Sequence, residues 1–307
     1  AGAPSGAVGS PVSAFTGGVT DVDSGASKGI AITGSNESNG TWYYTTNNGS
    51  TWTAVGTVSN TSALLLADNA NTRLYFSPGA NFSGTSSGAL TVRAWDQTSG
   101  AAGTKVSTAS NGGTTAFSSA TDVVDVTVTA VNDAPVLVPQ GLTYNTTEGA
   151  VPITSTVSAL IGTSVTDSDS GALSGVAIFG MTGSGGTLEY SLDGSTWLSA
   201  GALSSSNALL LRSTDQMRFT PDSNNGGTIQ VSYRAWDQTT GSAGSKVDVS
   251  VTGGATAFST ASDIASCTIA SVNDAPVLAD TALTLTVAED AGAPSGAVGS
   301  PVSAFTG

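Results

Sequence analysis

The stretch AGAPSGAVGSPVSAFTG occurs twice in this chain, as Ala1–Gly17 and again as Ala291–Gly307. Chance does not produce an identity of that length. A looser repeat lies between the two copies. AVNDAPVL at 130–137 returns as SVNDAPVL at 271–278, and RAWDQTSG at 93–100 returns as RAWDQTTG at 234–241. Both pairs are 141 residues apart, as Asp133 is from Asp274. A fixed period marks an array of stacked units and limits the chain to folds that can be tiled end to end. The repeats divide it into residues 1–133, residues 134–274 and residues 275–307, the last being the start of a third unit. Each full unit is long enough to bury its own core.

Alternating runs bounded by turn residues indicate the fold of a unit. Val123–Val131 (VVDVTVTAV) alternates cleanly and is expected as the last strand of the first unit. Leu90–Trp95 and Ile229–Trp236 are expected as penultimate strands, and Leu283–Val287 (LTLTV) as a first strand. Thr41–Thr46 and Ser50–Val55 flank Asn47-Asn48-Gly49, and Thr187–Leu192 and Ser195–Leu198 flank Asp193-Gly194. Both read as hairpins, with Asn-Gly and Asp-Gly supplying the positive φ that two-residue turns need. The Gly/Ser-rich stretches 99–116 and 241–257 read as long surface loops. Helix-forming runs of Glu, Lys, Gln and Leu are missing. The expected fold class is therefore all-β, as tandem β-sandwiches in an elongated array.

Composition then removes whole classes of function. Acidic residues number 22 against 8 basic ones, for a net charge of −14. Nucleic acid, which needs a basic face, is not an expected partner. There is no His, and Cys267 is the single cysteine. A Ser-His-Asp triad, a Cys/His zinc site and an internal disulfide are excluded. Cys267 falls where the first unit has Val126 and reads as a small buried hydrophobe. No apolar run is long enough to span a membrane, and no enzyme is expected. Of the acids, 18 are Asp and 4 are Glu, and short carboxylates suit turns and calcium loops. Trp52 and Trp197 both follow Gly-Ser-Thr, while Trp95 and Trp236 both precede Asp. Matched positions favour core packing; exposed indoles would favour sugar binding.

VNDAPVL, DVDSG, AWDQTSG and FSPGANFSG together resemble the bacterial cadherin-like modules of giant RTX-type surface adhesins. The resemblance covers both full units and implies Ig/cadherin-like sandwiches with calcium between them. On it, the first junction would take Asn132 and Asp133 from the linker, Asp167 and Asp169 from TDSDSG, and Asp237 from AWDQ. Asp21, Asp23 and Asp96 are the corresponding set of the first unit, and Asn273 and Asp274 form the second linker. Glu148 and Glu289 correspond to a first-strand Glu that many cadherins use. Nothing matches the family's L-D-R-E motif, and only Asp222 supplies an acid near that region, so one Ca2+ per junction is expected. Calcium prefers six to eight oxygen ligands, which Asp, Asn and backbone supply; the plainer alternative is that these residues only cap turns.

The expected role is a calcium-stiffened repeat segment of an extracellular or cell-surface bacterial fibre or adhesin. A glycan-binding adhesin module, with cell-surface glycans as partners, is one alternative. The other is a filament or sheath subunit joined head-to-tail to neighbouring copies by strand complementation. The first unit lacks a counterpart of the strand expected at Leu283–Val287, which a preceding repeat would supply in a continuous array; in a free fragment the open sheet edge invites such pairing.

Overall fold

The structure is a computed structural model that describes residues 2–278, 286, 289–290, 292–296 and 299–304. Except for Thr286, the expected strand Leu283–Val287 lies outside the described residues. The chain is all-β, and its strands form two sandwiches. In the first, five antiparallel strands lie in the order Lys105–Val106, Ala63–Ala67, Gly29–Ser35, Gly84–Trp95 and Asp122–Val128. Facing them are Ser10–Pro11, Arg73–Pro78, Gly40–Thr45 and Thr53–Ala54, also antiparallel. Between the sheets pack Ile30, Ile32, Trp42, Leu64, Leu66, Leu74, Leu90 and Val92.

The second sandwich repeats this plan with one strand more. Its main sheet runs Thr143–Thr147, Asp263–Ala270, Gly227–Trp236, Gly175–Gly183, Ala208–Arg212 and Lys246–Val247. The first two of these are parallel, and the other neighbours are antiparallel. The facing sheet is Ile153–Thr156, Gln216–Pro221, Gly186–Ser191 and Leu198–Ser199. A one-turn helix, Val157–Ile161, follows Ile153–Thr156; the Thr156 hydroxyl caps it by accepting the Ala159 N–H at 3.1 Å. Val136–Leu137 pairs with Val165–Thr166 at the entrance of the unit.

Central strands here are apolar on both sides. Ala63–Ala67 (ALLLA) is buried at every position, so something must cover its second face. The Gly/Ser-rich stretches do this. Ala31, Ala63, Leu65 and Trp95 form a second cluster with Ala116 and Phe117. Ala177, Ala208, Leu210 and Trp236 do the same with Val249, Ala257 and Phe258. The expected surface loops are thus outer walls of a second small core, with a two-residue strand in each. Burying one indole there contributes roughly 4–6 kcal/mol, at about 25 cal/mol per Å² over 150–250 Å². The indoles fit because Gly29 and Gly175 lie beneath them: a Cβ on Gly175 would stand 2.5 Å from the Leu211 carbonyl oxygen and 2.9 Å from Trp236 Cε3.

Both expected hairpins form, but neither has a two-residue turn. Tyr44 pairs with Thr53 and Tyr190 with Leu198, which leaves wider loops between the strands. Asn47 Oδ1 accepts the Thr51 N–H at 2.9 Å, and Asp193 Oδ1 accepts those of Ser195 and Thr196 at 2.8 and 2.7 Å. These side chains hold the loops open. The bonds from Thr196 and Ser195 also hold the Asp193 carboxyl well below its ordinary pKa.

Candidate metal centre

The residues between the two sandwiches lie against the entrance of the second. The Asp133 N–H donates to Asp169 Oδ2 at 2.8 Å, and the Ser168 hydroxyl donates to Asp133 Oδ2 at 3.3 Å. Asn132 Nδ2 donates to Asp237 Oδ2 at 2.9 Å and to the Thr256 carbonyl at 3.2 Å. All five residues expected at the first junction therefore share one hydrogen-bonded neighbourhood. The D-x-D loop is a tight turn in which Asp167 Oδ1 accepts the Asp169 N–H at 2.9 Å, and Gly171 turns the chain at a φ of 77°. Asp167 Oδ2 is buried and has no hydrogen-bond partner. Asn132, Asp169 and Asp237 line one cleft with Gly171 and Thr239.

Asp237 does two jobs. It is 3% exposed, and its Oδ1 accepts from both the N–H and the hydroxyl of Thr239, at 2.8 and 2.6 Å. That bend carries Gln238 at a positive φ of 68° and returns the Thr240 carbonyl to the Trp236 indole N–H at 2.8 Å. The AWDQ motif is thus first a device that seats the tryptophan. Asp96, Gln97 and Trp95 repeat it: Asp96 Oδ1 accepts the Thr98 N–H at 2.7 Å, and Trp95 Nε1 donates to the Ser99 carbonyl at 2.8 Å.

The other expected ligands lie elsewhere. Asp21 accepts the Asp23 N–H at 2.9 Å, as in the second unit, but both carboxylates are exposed, and no Asn-Asp pair lies against them among the described residues. Asn273 and Asp274 are exposed, with Asn273 Nδ2 reaching only the Asp274 carbonyl at 3.3 Å. Glu289 is exposed. Glu148 belongs to the far end of its unit: its Oε1 accepts the Val272 N–H at 2.6 Å, at the start of the second linker. Its Oε2 is buried without a partner. Asp222 lies beside it, accepting the Gly149 N–H on its carbonyl at 2.8 Å.

Among the described residues, no three carboxylates, histidines or cysteines converge into a ready-made ion site. The donor chemistry at the first junction nevertheless suits a hard cation. It is made of oxygens alone, and Asp167 carries a buried carboxylate oxygen that nothing in the chain satisfies.

No motif in the sequence points to Asp263. It is 4% exposed, and it accepts the Gln140 N–H at 2.8 Å, the Gly141 N–H at 3.1 Å and the hydroxyl of fully buried Tyr233 at 2.9 Å. It thereby pins the start of the Thr143–Thr147 strand to the sheet. Burial works against its charge, but the bonds from Gln140, Tyr233, Gly141 and Ile264 outweigh that and hold its pKa below the ordinary value. Burial, and then the Asp263 carboxylate, push the Tyr233 hydroxyl well above its ordinary pKa.

The indoles are mostly interior. Trp42, Trp95 and Trp236 are buried. Trp52 donates to the Gly6 carbonyl at 3.1 Å, and the Arg218 guanidinium covers Trp197 at 4.2 Å from the ring centroid.

No protein-family model and no curated protein sequence matches the chain. Among solved structures, the CupB6 tip adhesin from Pseudomonas aeruginosa aligns over 82% of this chain and 87% of its own, with 8% identity and a TM-score of 0.27. No helix among the described residues is long and apolar enough to cross a membrane.

Proposed function

We propose that the chain is a structural repeat segment of an extracellular bacterial fibre or adhesin, built of cadherin-like sandwiches and stiffened by calcium where one unit meets the next. The observation that supports this most directly is the linker contact: Asn132 and Asp133 bond to Asp237 and Asp169, beside the unsatisfied oxygen of Asp167. Carboxylates gathered in this way repel one another, and a divalent cation relieves the repulsion. Asp133, Asp167, Asp169 and Asp237 would supply the charge, with Asn132 and backbone carbonyls completing an oxygen shell. A bound ion ties the linker to the unit and resists bending; the role is mechanical rather than catalytic.

Calorimetric titration of calcium into metal-free protein tests this, together with melting in calcium and in chelator. An ion bound by the folded state alone raises stability by about 2.7 kcal/mol at a hundredfold excess over Kd. Asp167→Ala should abolish both the heat and the calcium-dependent rise in Tm. If the unsubstituted chain shows neither, these residues cap turns and nothing more.

A further inference from the structure

The strand that leads into the second sandwich is lightly held by packing. Thr143–Thr147 (TYNTT) lies at the edge of the main sheet, and each of its residues is exposed or half-buried. Its one large side chain, Tyr144, packs against Phe219, Ile229, Cys267 and Ile269. The main chain does most of the holding. The strand runs parallel to Asp263–Ala270 over five residue pairs, from Thr143 opposite Ser266 to Thr147 opposite Ala270. The ladder extends to the residues on either side. The Ser266 N–H donates to the Leu142 carbonyl at 2.8 Å, and the Glu148 N–H donates to the Ala270 carbonyl at 3.1 Å.

A buried carboxylate closes each end of this ladder. At the start, Asp263, the first residue of the inner strand, accepts the N–H groups of Gln140 and Gly141 at 2.8 and 3.1 Å. At the finish, Glu148, which follows the outer strand, accepts the Val272 N–H at 2.6 Å, beyond the end of the inner one. Asp263 is 4% exposed and Glu148 8%. The two bridges are reciprocal: one acid sits on the inner strand and grips the outer, and the other does the reverse. Burying two carboxylates carries a desolvation cost that the packing of one polar strand does not explain. Their place in the chain does explain it. Gln140 and Gly141 follow the first linker, and Val272 directly precedes Asn273 of the second. Tension between the linkers draws the outer strand back toward its start and the inner strand on past its end. Because the strands are parallel, these pulls run along the strand axis in opposite directions. The ladder bonds and both bridges therefore bear the load together.

We infer that Thr143–Thr147 is a shear clamp that sets the force at which the second sandwich yields, with Asp263 and Glu148 as the latches at its two ends. This rests on the mechanical role proposed above, but not on the ion. Load applied along the strand axis must break the whole ladder at once. Load applied across the strands at one end breaks it rung by rung, at a lower force. The direction of pull, and not stability alone, then decides when the unit opens.

The test is to pull the full chain in two directions in an optical trap. Val131, Val151 and Val277 are 71%, 83% and 95% exposed, so cysteines there accept DNA handles, while Cys267 is buried. Handles on Val131→Cys and Val277→Cys load the second sandwich through its linkers. Handles on Val151→Cys and Val277→Cys both follow the end of the ladder at which Thr147 and Ala270 are paired, and so peel it. At one loading rate, the rupture force through the linkers should exceed the peeling force at least about twofold, since forced opening follows the barrier along the pulled path. Asp263→Ala, at the end remote from the peeling handles, should take a larger share from the linker-loaded force than from the peeling force. A residue that merely stabilised the fold would lower both in proportion. Equal forces in the two directions, or equal shares lost in Asp263→Ala, would overturn the inference. The first comparison leaves both latches intact, so it holds even if Asp263→Ala fails to fold. All pulling is done in chelator, which separates this result from the calcium proposal. A chain that binds calcium but shows equal forces keeps the ion and loses the clamp; one that binds no calcium but shows the difference keeps the clamp.

Discussion

Asp263 should be among the most costly polar side chains to remove from the second sandwich. Asp263→Ala strips a hydroxyl partner from Tyr233, which is 0% exposed, and leaves that oxygen with nowhere to bond. An unsatisfied buried hydroxyl costs about 1–3 kcal/mol. The Gln140 and Gly141 amides lose a charged acceptor but are exposed enough to find water, so together they add about 1 kcal/mol more. The expected loss is therefore about 3 kcal/mol, read as a lower urea midpoint of the transition of the second sandwich. Tyr233→Phe removes the donor and the need for it together, and should cost about 1 kcal/mol. The double variant should be non-additive by at least about 0.5 kcal/mol, because the two groups touch. pH gives a second handle. The Asp263 pKa is lowered in the folded state, so its contribution is fully present above the unfolded carboxyl value of about 3.9 and is lost as pH falls through the folded value. The gap between parent and Asp263→Ala should hold steady from neutral pH to about 5 and close below about 4. Asp122 supplies the control: it occupies the same place in the repeat but is exposed, so Asp122→Ala should lie within about 0.5 kcal/mol of the parent. Equal effects at the two positions, or a loss at Asp263 under about 1 kcal/mol, would refute the reasoning.

Gly175→Ala should lower stability by about 2 kcal/mol or more, since its Cβ meets a main-chain oxygen and an indole that cannot both retreat. Gly180→Ala, whose Cβ would have its nearest neighbour at 3.5 Å, should cost about 1 kcal/mol or less; thermal melts of the two variants compare them directly. Glu148→Ala releases the Val272 N–H, and hydrogen exchange at Val272 should quicken at least about tenfold, in keeping with the loss of one charged hydrogen bond.

Much of the architecture is legible in the sequence because period and alternation are both strong. The penultimate strands appear where LTVRAW and IQVSYRAW place them, and TDSDSG, VNDAP and AWDQ come together at one junction. The elements that escape have physical reasons. A stretch such as GTKVSTASNGGTTAF has the composition of a solvated loop, yet Thr108 and Phe117 are buried, because the ALLLA strand needs a cover and Phe117 with Ala116 and Val106 anchors one. Hairpin width is set by the side-chain bonds of Asn47 and Asp193 rather than by the Asn-Gly or Asp-Gly pair that signals the turn. Asp263 stands beside Ser262 at the start of its strand. Its partners at Gln140 and Tyr233 are distant in sequence, and no local pattern announces them. Glu148 corresponds to a first-strand Glu, and its junction is not legible from spacing; the strand that precedes it runs away from the first linker and delivers it to the second.

That last placement gives the leading strand of the second sandwich a task at its end. The Glu148 N–H bonds to the Ala270 carbonyl at 3.1 Å, and its carboxylate takes the Val272 N–H, one residue before Asn273. Holding Val272 removes conformational freedom from the start of the second linker. Glu148→Gln keeps an acceptor oxygen but no charge, so hydrogen exchange at Val272 should fall between that of the parent and that of Glu148→Ala. Equal exchange in Glu148→Gln and Glu148→Ala would mean that the charge, and not the acceptor alone, holds the linker.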